Sequence, residues 1–254
     1  MKEPGISLFV ITKNEAHNIA ACLDSARALV QEIIIVDSYS TDGTVRICEK
    51  FGARIYQHPF ENFTQQKNTA LSQVTREWAL SLDADETLTP ELASEIYQIT
   101  LTGKANGYRL PRVNEFLGKR MKHSGIKKEY IVRLVRTEKA KFVGGKVHEK
   151  LEVQGRTRRL KNVFVHHPYD NIEDYFAKFN KYTTLAAQTM FDSGKRVGLL
   201  RVLLTVPFEF MRRYVLKLGF LDGIRGLIWA SFSCFYVFVK YMKLWFLWDQ
   251  IETK

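Results

Sequence analysis

The chain has 254 residues, of which 46% are hydrophobic and 26% charged, so it can form a packed core and is not a wholly disordered chain. Six prolines and fifteen glycines exclude a collagen-like or low-complexity protein. The net charge of +11 is uneven, because residues 1–100 hold 8 Lys and Arg against 14 Asp and Glu, whereas residues 101–254 hold 30 against 13. The basic second part indicates a polyanion or an anionic membrane surface as a partner.

Residues 1–100 alternate between short apolar runs and helical patterns. The predicted strands are Ile6–Ile11, Glu32–Val36, Ala53–Tyr56 and Trp78–Leu82. The predicted helices are Asn18–Leu29, Val45–Phe51 and Gln65–Val74. Continuous apolar strands that alternate with helices are typical of a parallel sheet covered on both faces. We therefore predict an α/β sandwich of the nucleotide-binding kind, with a ligand site beyond the carboxyl ends of its strands.

Residues 104–165 predict a mixed or antiparallel extension of this sheet. Its short strands are Gly107–Pro111, Tyr130–Val135 and Val147–Val153, separated by basic loops. From about Ile172 the pattern is helical to the end. We expect one domain over 1–170, with halves 1–100 and 101–170, followed by a helical region over 171–254.

The helical region contains an amphipathic segment. Its polar residues recur at three- or four-residue spacing among large apolar ones: Arg201, Thr205, Glu209, Arg212, Arg213 and Lys217. Pro207 should kink this helix or mark a restart. Gly226–Val239 is apolar for about 14 residues before Lys240 and Lys243, which is short of the roughly 20 needed to span a bilayer.

Two interpretations of these helices are open. They form either a buried hairpin that packs on the α/β domain or a monotopic element that docks on a membrane. The basic residues and the tryptophans Trp229, Trp245 and Trp248 beside the apolar face favour the membrane.

The cysteines and the N-terminus predict a cytoplasmic location for the first domain. Cys22, Cys48 and Cys234 are an odd and sparse set without metal-ligand spacing, which favours a reducing compartment. Met1–Gly5 is polar, and the following apolar run is too short for a secretory signal.

Polar clusters follow three of the predicted strands, at Thr12–Glu15, Asp37–Ser40 and Asp83–Glu86. Asp83 and Asp85 come directly after an apolar strand. Mg²⁺ and Mn²⁺ prefer such oxygen ligands and usually keep substrate phosphates in their shell, so the pair suits a metal-bound diphosphate. The alternative is an acidic helix N-terminus, since Thr87–Leu92 also has a helical pattern.

Four motifs occur in order over residues 6–90. They are Thr-Lys-Asn-Glu at 12–15, Val-Asp-Ser-Tyr-Ser-Thr-Asp-Gly-Thr at 36–44, Lys-Asn at 67–68 and Leu-Asp-Ala-Asp at 82–85. This set resembles the family 2 glycosyltransferases, inverting enzymes with a GT-A fold that use nucleotide-sugar donors. The resemblance implies a GT-A sandwich with a mostly parallel sheet, a membrane-associating helical region at 171–254, and 101–170 as the acceptor-side half.

Three later segments narrow the resemblance. Met121–Gly125, Arg133–Arg136 and Val147–Glu149 are similar to the bacterial lipopolysaccharide-core β-1,4-glucosyltransferase branch. That branch implies transfer of glucose from UDP-glucose to a lipid-anchored saccharide such as the lipopolysaccharide inner core. It also implies a peripheral or monotopic protein at the cytoplasmic face of the bacterial inner membrane, in contact with anionic lipid and without a nucleic-acid partner.

The resemblance assigns roles on the donor side. The nucleotide-sugar site would include Thr12, Glu15, Asp37, Lys67 and Asp83. Asp85 would bind Mg²⁺ or Mn²⁺ directly, and Asn68 would pack the turn. Simpler alternatives are that Asp37 caps the Ser40–Thr44 turn and that Lys67 is a solvated helix residue.

The catalytic base should come from the second half of the domain. An inverting transfer is a single displacement, so the base lies across the sugar from the leaving diphosphate. Glu149 is the best candidate, and the alternative is an ion pair with Lys146 or Lys150. His148 would point the other way in an extended segment, where it orients the loop, touches the diphosphate or completes the metal shell.

Other basic residues are candidates for phosphate or acceptor contacts. Arg133 and Arg136 either bind phosphate or lie on a solvated surface, and His123 would shape the acceptor site. His166 and His167 are either a further ligand or, as the sequence favours, a turn that leads into a helix. Polyprenyl phosphate is an alternative acceptor. A nucleic-acid-binding protein on an inactive nucleotide fold is disfavoured because the C-terminal aromatics lie in apolar helices.

Overall fold

The computed structural model describes residues 5–126, 128–144, 149–169 and 171–252. The chain forms two compact units. One consists of Met1–Val113 with Lys128–His166, and the other of Asn114–Lys127 with His167–Lys254. The second unit therefore combines the C-terminal helices with a segment taken from the middle of the chain. The proposed domain boundary at residue 170 stays a prediction.

The strands of the described residues, in chain order, are β1 (Ile6–Thr12), β2 (Glu32–Asp37), β3 (Arg54–Gln57), β4 (Trp78–Ser81), β5 (Glu86–Leu88), β6 (Gly107–Phe116), β7 (Lys119–Arg120), β8 (Glu129–Arg136), β9 (Ala140–Gly144), β10 (Glu149–Val153), β11 (Thr157–Arg159) and β12 (Phe164–His166). The α-helices are α1 (Ile19–Ala26), α2 (Thr44–Lys50), α3 (Phe63–Ser72), α4 (Pro90–Thr102), α5 (Ile172–Asp192), α6 (Leu199–Met211) and α7 (Ile224–Glu252).

The first unit is built on one curled sheet with the strand order β3-β2-β1-β4-β8-β6-β12-β5. The first four of these strands are parallel to their neighbours. Next, β8 pairs antiparallel with β4, and β6 pairs antiparallel with β8. The predicted parallel sheet with an antiparallel extension is confirmed. The hairpin of β9 and β10 forms a two-stranded sheet of its own.

Successive residues of β1 enter two different apolar clusters. Leu8 and Val10 pack into the larger cluster with α1, and Phe9 packs into the smaller one with α3 and the β9–β10 hairpin. A strand buried on both faces must be apolar at every position, which explains the uninterrupted Ile6–Ile11 run. The same arrangement brings the carboxyl ends of β1, β2 and β4 to one edge of the sheet.

The side chain of Asn68 holds the β9–β10 hairpin against α3. Its Nδ2 donates to the carbonyl of Phe142 at 2.9 Å, and its Oδ1 accepts from the N–H of the same residue at 2.8 Å. Asn68 therefore ties a helix to a hairpin and does not merely pack a turn. This contact positions the adjacent residue Lys67.

No helix begins directly after the Asp-Ala-Asp-Glu segment. Residues Glu86–Leu88 form β5, which pairs with β12, and α4 begins only at Pro90. The hydroxyl of Thr89 caps α4 by accepting from the N–H of Leu92 at 3.3 Å. The alternative that Asp83 and Asp85 mark an acidic helix N-terminus is therefore wrong.

The second unit has an aromatic core. Phe116 packs edge-on against Tyr175 and Trp229 with ring centroids 5.9 and 5.1 Å away, and Tyr175 stacks on Phe232 at 4.8 Å. Such pairs add to the stability gained from burial alone. The core explains why residues 114–126 belong to this unit.

The helix α6 continues through Pro207 and ends at Met211, where a π-helical turn follows over Arg212–Leu216. The predicted change of geometry thus comes one turn after the proline. The apolar residues of α6 are exposed, with Leu199, Leu200 and Leu204 at 73, 70 and 63% of full exposure. On its polar side, Glu209 bonds both Arg212 and Arg213 at 2.7 Å, so the predicted basic stripe is partly neutralised.

The lysines predicted to interrupt the last apolar segment do not end α7. The Nζ of Lys243 donates to the carbonyl of Asn180 at 3.0 Å and to the hydroxyl of Thr183 at 2.9 Å, both on α5. Over the described residues, Ile224–Ile251 is the one helix that is long and apolar enough to cross a membrane, judged by length and composition. The helix α7 therefore continues past Lys240 and Lys243 and is longer than the apolar run that precedes them in the sequence.

Candidate active site

The loops that follow β1 and β2 are joined by a series of hydrogen bonds. Asn14 adopts a left-handed backbone with φ of 56°, which asparagine tolerates better than most residues. Its N–H donates to the hydroxyl of Ser40 and its Oδ1 accepts from the N–H of Thr41, both at 2.8 Å. The N–H of Glu15 donates to the hydroxyl of Thr44 at 2.8 Å. These bonds explain the asparagine of the first motif and the hydroxyl residues of the second.

Asp37 lies at the centre of the two loops and is fully buried. Its Oδ1 accepts from the hydroxyls of Thr12 at 2.8 Å and Ser40 at 2.5 Å, and its Oδ2 accepts from the N–H of Ser40 at 2.8 Å. Asp37 does stabilise the Ser40–Thr44 turn, in agreement with the simpler alternative. Its predicted contact with a nucleobase stays a prediction.

Asp83 follows β4 and forms ion pairs with two cations. Its Oδ1 lies 3.0 Å from the Nζ of Lys67, and its Oδ2 lies 2.6 Å from a guanidinium nitrogen of Arg133. Burial alone would raise the pKa of this carboxyl, but Arg133 and Lys67 outweigh it and hold the pKa well below its usual range. Asp83 is therefore a fixed negative charge at the strand end.

Glu86 is a buried partner in the same network. It is fully inaccessible to solvent, and its Oε1 lies 2.5 Å from the same guanidinium nitrogen of Arg133. Burial raises the pKa of Glu86 above its usual range, although Arg133 opposes the rise. Its Oε2 accepts from the N–H of Asp83 at 3.0 Å, which fixes the turn that carries Asp83. Arg133 thus binds two carboxylates, and its predicted phosphate contact stays a prediction.

Asp85 faces the histidine at the end of β12. The Nε2 of His166 lies 3.2 Å from its Oδ2, because β12 pairs with β5 so that His166 is opposite Glu86. The helix-entry turn favoured for His166 is therefore wrong, since it belongs to a strand and α5 begins later, at Ile172. His167 lies in the second unit, with its Nδ1 3.5 Å from a carboxylate oxygen of Glu115.

The donor set at Asp85 suits a hard cation that completes its shell with a substrate. Over the described ranges, no group of three or more His, Cys, Asp or Glu side chains is arranged to hold a metal. Mg²⁺ and Mn²⁺ are commonly held by one or two carboxylates plus substrate phosphates. The half-exposed carboxylate of Asp85, with His166 beside it, fits this requirement.

Lys67 connects the end of β4 to the β9–β10 hairpin. It is 5% exposed, and its Nζ lies 2.9 Å from the Oε1 of Glu149 and 3.0 Å from Asp83. The solvated alternative is therefore wrong, and the predicted approach of Lys67 to the nucleotide stays a prediction. Glu149 does not pair with Lys150, and Lys146 lies outside the described residues. The Oε2 of Glu149 accepts no hydrogen bond from a described residue.

These residues open onto a cleft of about 480 Å³ between β8, β6 and the β9–β10 hairpin. Its lining residues are Lys67, Asp83, Arg109, Arg112, Tyr130, Ile131, Val132, Arg133, Phe142, Glu149, Lys150 and Leu151. The cleft therefore contains the predicted base and one carboxylate of the metal motif. A ligand bound there meets both.

Four other predicted site residues of the first unit, Thr12, Glu15, Asp37 and Asp85, do not line this cleft, and neither does Arg136. Arg136 pairs with Trp78 at the amino end of β4, where its guanidinium bonds Glu77 and lies over the Trp78 ring at 4.5 Å. His123 is in the second unit, and its N–H donates to Asp222 at 3.0 Å. His148 lies outside the described residues.

The sequence assigns no role to Glu86, and it gives a ligand role for His166 only as the less favoured alternative. The available signal for Glu86 is its place directly after the Asp-Ala-Asp triplet. The signal for His166 is a polar residue after the apolar Phe164-Val165 pair, which is the pattern of a short strand followed by a ligand. Both depend on β5 and β12, strands of three residues that are too short to detect from periodicity.

The model of the glycosyl transferase family 2 matches residues 7–204. The chain therefore belongs to glycosyl transferase family 2, and the expected family is confirmed. The match includes the two joined loops, the Asp-Ala-Asp-Glu segment and Glu149. It does not by itself identify the sugar, the acceptor or a metal.

Sequence similarity to other glycosyltransferases extends over almost the whole chain. An uncharacterized glycosyltransferase of Rickettsia felis is 28% identical over 94% of this chain and 89% of its own length. The lipopolysaccharide core biosynthesis glycosyltransferase LpsC of Rhizobium meliloti is 28% identical over 94% of this chain and 92% of its own length. A structure of glucosyl-3-phosphoglycerate synthase from Mycobacterium tuberculosis with Mn²⁺ and UDP-glucose is 22% identical over 44% of each chain, with a TM-score of 0.38.

We predict that Arg133→Met lowers the free energy of unfolding by about 3–5 kcal/mol, because it removes the nearest cation from the buried Glu86 and from Asp83. Adding Glu86→Gln should restore part of this loss. The matched control is Arg136→Met on the same strand, where the pair with Glu77 is half-exposed and the loss should be about 1 kcal/mol. Urea unfolding of all four proteins measures this, and equal losses at 133 and 136 would contradict the network.

Proposed function

We propose that the protein is an inverting hexosyltransferase that moves glucose from UDP-glucose onto a lipid-anchored saccharide of the lipopolysaccharide inner core. The observation that carries the proposal is the convergence of Asp83, Lys67 and Glu149 on one cleft at the carboxyl end of β4. Membership of family 2 and the similarity to LpsC over most of both chains support it.

In this proposal the nucleoside lies against the two joined loops. The part of the loops nearest the sheet contains Thr12, Glu15 and Asp37. Hydrogen bonds from Asn14 to Ser40 and Thr41 keep the two loops in place before the donor binds. A preformed loop pair reduces the conformational entropy lost on binding. Asp37 acts by ordering Thr12 and Ser40 beneath the nucleoside.

The diphosphate would lie at the end of β4, where Asp83, Asp85 and Lys67 are found. Mg²⁺ or Mn²⁺ bound at Asp85 beside His166 would neutralise charge on the departing diphosphate. Lys67 supplies a fixed positive charge at the same place. Arg133 and Glu86 would act indirectly. They hold the turn that carries Asp83 and do not need to touch the substrate.

Glu149 would act as the general base. Its Oε1 is held by Lys67, and its Oε2 is directed to the acceptor hydroxyl. The hydroxyl proton passes to Glu149 while the acceptor oxygen bonds to the anomeric carbon, and the bond from that carbon to the diphosphate oxygen breaks. The products are the inverted glycoside and UDP. A single displacement of this kind needs no covalent enzyme intermediate.

The second unit would bring the enzyme to its lipid-anchored acceptor at the cytoplasmic face of the inner membrane. The leucines of α6 form an exposed apolar face, and Arg201 and Lys217 are exposed near it. An apolar face flanked by cations is typical of helices that lie in an anionic membrane surface. Because Glu209 bonds both Arg212 and Arg213 and so offsets one of their two charges, we assign docking mainly to the leucines.

We predict that Glu149→Gln keeps UDP binding but loses about 10²–10⁴-fold in turnover, because no carboxylate remains to take the proton. Glu152→Gln, an exposed change on the same strand, should stay within twofold of the wild type. Transfer from radiolabelled UDP-glucose to inner-core lipopolysaccharide measures both. Turnover within a few-fold of the wild type in Glu149→Gln would place the base elsewhere.

We predict that Asp85→Asn weakens UDP binding in the presence of Mn²⁺ at least tenfold and has little effect in EDTA, since a hard cation loses its carboxylate ligand. Asp24→Asn on the exposed side of α1 is the control and should behave like the wild type. Titration calorimetry with UDP measures the affinity independently of turnover. Wild-type affinity that is equal with Mn²⁺ and with EDTA would refute metal-assisted binding.

We predict that Leu204→Asn weakens binding to vesicles of phosphatidylglycerol and phosphatidylethanolamine about tenfold, because a leucine side chain leaves the apolar phase. Leu101→Asn replaces an exposed leucine of α4 and should leave binding unchanged. Co-sedimentation measures bound protein, and neutral phosphatidylcholine vesicles test the contribution of charge. If both variants bind like the wild type, α6 is not the docking element.

A further inference from the structure

Two arginines lie next to each other on neighbouring strands, one of them in the wall of the cleft. Arg109 on β6 and Arg159 on β11 are in-register neighbours on parallel strands, so their backbones are about 5 Å apart. Both side chains are exposed, and Arg109 lines the cleft. The guanidinium of Arg159 lies 4.7 Å from the centre of the Tyr130 ring, which also lines the cleft. The Arg109–Arg159 pair thus places two exposed arginine side chains on neighbouring strands at the same register.

The charges of this pair are not neutralised within the part of the chain that the structure describes. Neither guanidinium lies within ion-pair distance of a carboxylate there. Three other cations of the cleft differ, since Lys67, Arg112 and Arg133 each bond an acidic side chain. Like charges on neighbouring strands destabilise a sheet. An uncompensated arginine pair is therefore costly unless it binds an anion.

Guanidinium groups bind phosphate and carboxylate through paired hydrogen bonds, so these are the anions the pair would recognise. The donor diphosphate is the first source to consider. However, β6 and β11 lie two and three strands beyond β4 in the sheet, which is about 10 and 14 Å. The backbone of the arginine pair is thus two to three strand spacings from the end of β4, where the diphosphate site is proposed.

We propose that Arg109 and Arg159 bind a phosphate or carboxylate group of the acceptor saccharide and so select anionic acceptors. This assignment rests on the proposed transferase function for the identity of the acceptor. Binding of an anion by the pair does not depend on transfer. The two parts can therefore be tested separately.

The first experiment measures binding of inorganic phosphate by ³¹P NMR, with UDP and the diamagnetic ion Mg²⁺ present to fill the donor site. Arg109→Gln and Arg159→Gln should each weaken phosphate binding roughly tenfold or more, as expected when a charged hydrogen-bond partner is lost. Arg158→Gln is the control, because it is exposed on the same strand but directed to the opposite face. Equal phosphate affinity in the wild type and the Arg109→Gln/Arg159→Gln protein overturns the proposal.

The second experiment measures transfer from UDP-glucose to inner-core lipopolysaccharide that is intact, phosphatase-treated or carboxyl-reduced. Both arginine variants should raise the acceptor KM about tenfold and leave the donor KM unchanged. The treatment that removes the recognised group should raise the acceptor KM of the wild type by the same factor as the arginine substitutions do. It should not change the acceptor KM of the variants any further. A higher donor KM instead would assign the pair to the donor and overturn the proposal. Absence of wild-type transfer together with arginine-dependent phosphate binding would refute the transferase proposal and leave the anion site.

Discussion

The ion-pair network around Arg133 is the constraint on which the site depends. One guanidinium nitrogen bonds Asp83 at the end of β4 and Glu86 at the start of β5, while Lys67 continues the network from Asp83 to Glu149. Charges removed from water are stable only when each has a partner in good geometry. The network therefore fixes the relative positions of three strands (β4, β5 and β8), the helix α3 and the β9–β10 hairpin, and it does so at the place where the chemistry is proposed.

The donor half of the fold can be predicted from the sequence because its signals are local. Every predicted strand and helix of residues 1–82 is present, with ends that differ by a few residues, since buried parallel strands are apolar at each position. The Asp-Ala-Asp motif and Lys67 also lie at one edge of the sheet, as expected. Their partners are not predictable in this way. Arg133 is 50 residues from Asp83 and His166 is 81 from Asp85, and such pairings depend on the register of β8 and β12.

The sequence is less informative about the C-terminal helices. Lysines within an apolar run indicate the end of an apolar helix. In the structure, however, Lys243 donates hydrogen bonds to polar groups of α5, and the helix α7 continues. The basic stripe of α6 is recognisable as a pattern, but its net charge is smaller than the pattern indicates, because Glu209 lies close enough to bond two of its arginines. Patterns of spacing identify a face of a helix. They do not show which charges on that face neutralise one another.

The β9–β10 hairpin has a consequence for how this enzyme can diverge. It pairs in a two-stranded sheet of its own and is attached through Asn68 and Lys67, so a substitution within it does not shift the register of the main sheet. Glu149 is the first described residue of β10. Exposed positions of the hairpin can thus change without shifting the main sheet, whereas Phe142 and Leu151 are buried in the core and keep the hairpin packed. Under the proposed function, substitutions at those exposed positions would alter the wall of the cleft next to Glu149 while the donor half stays the same.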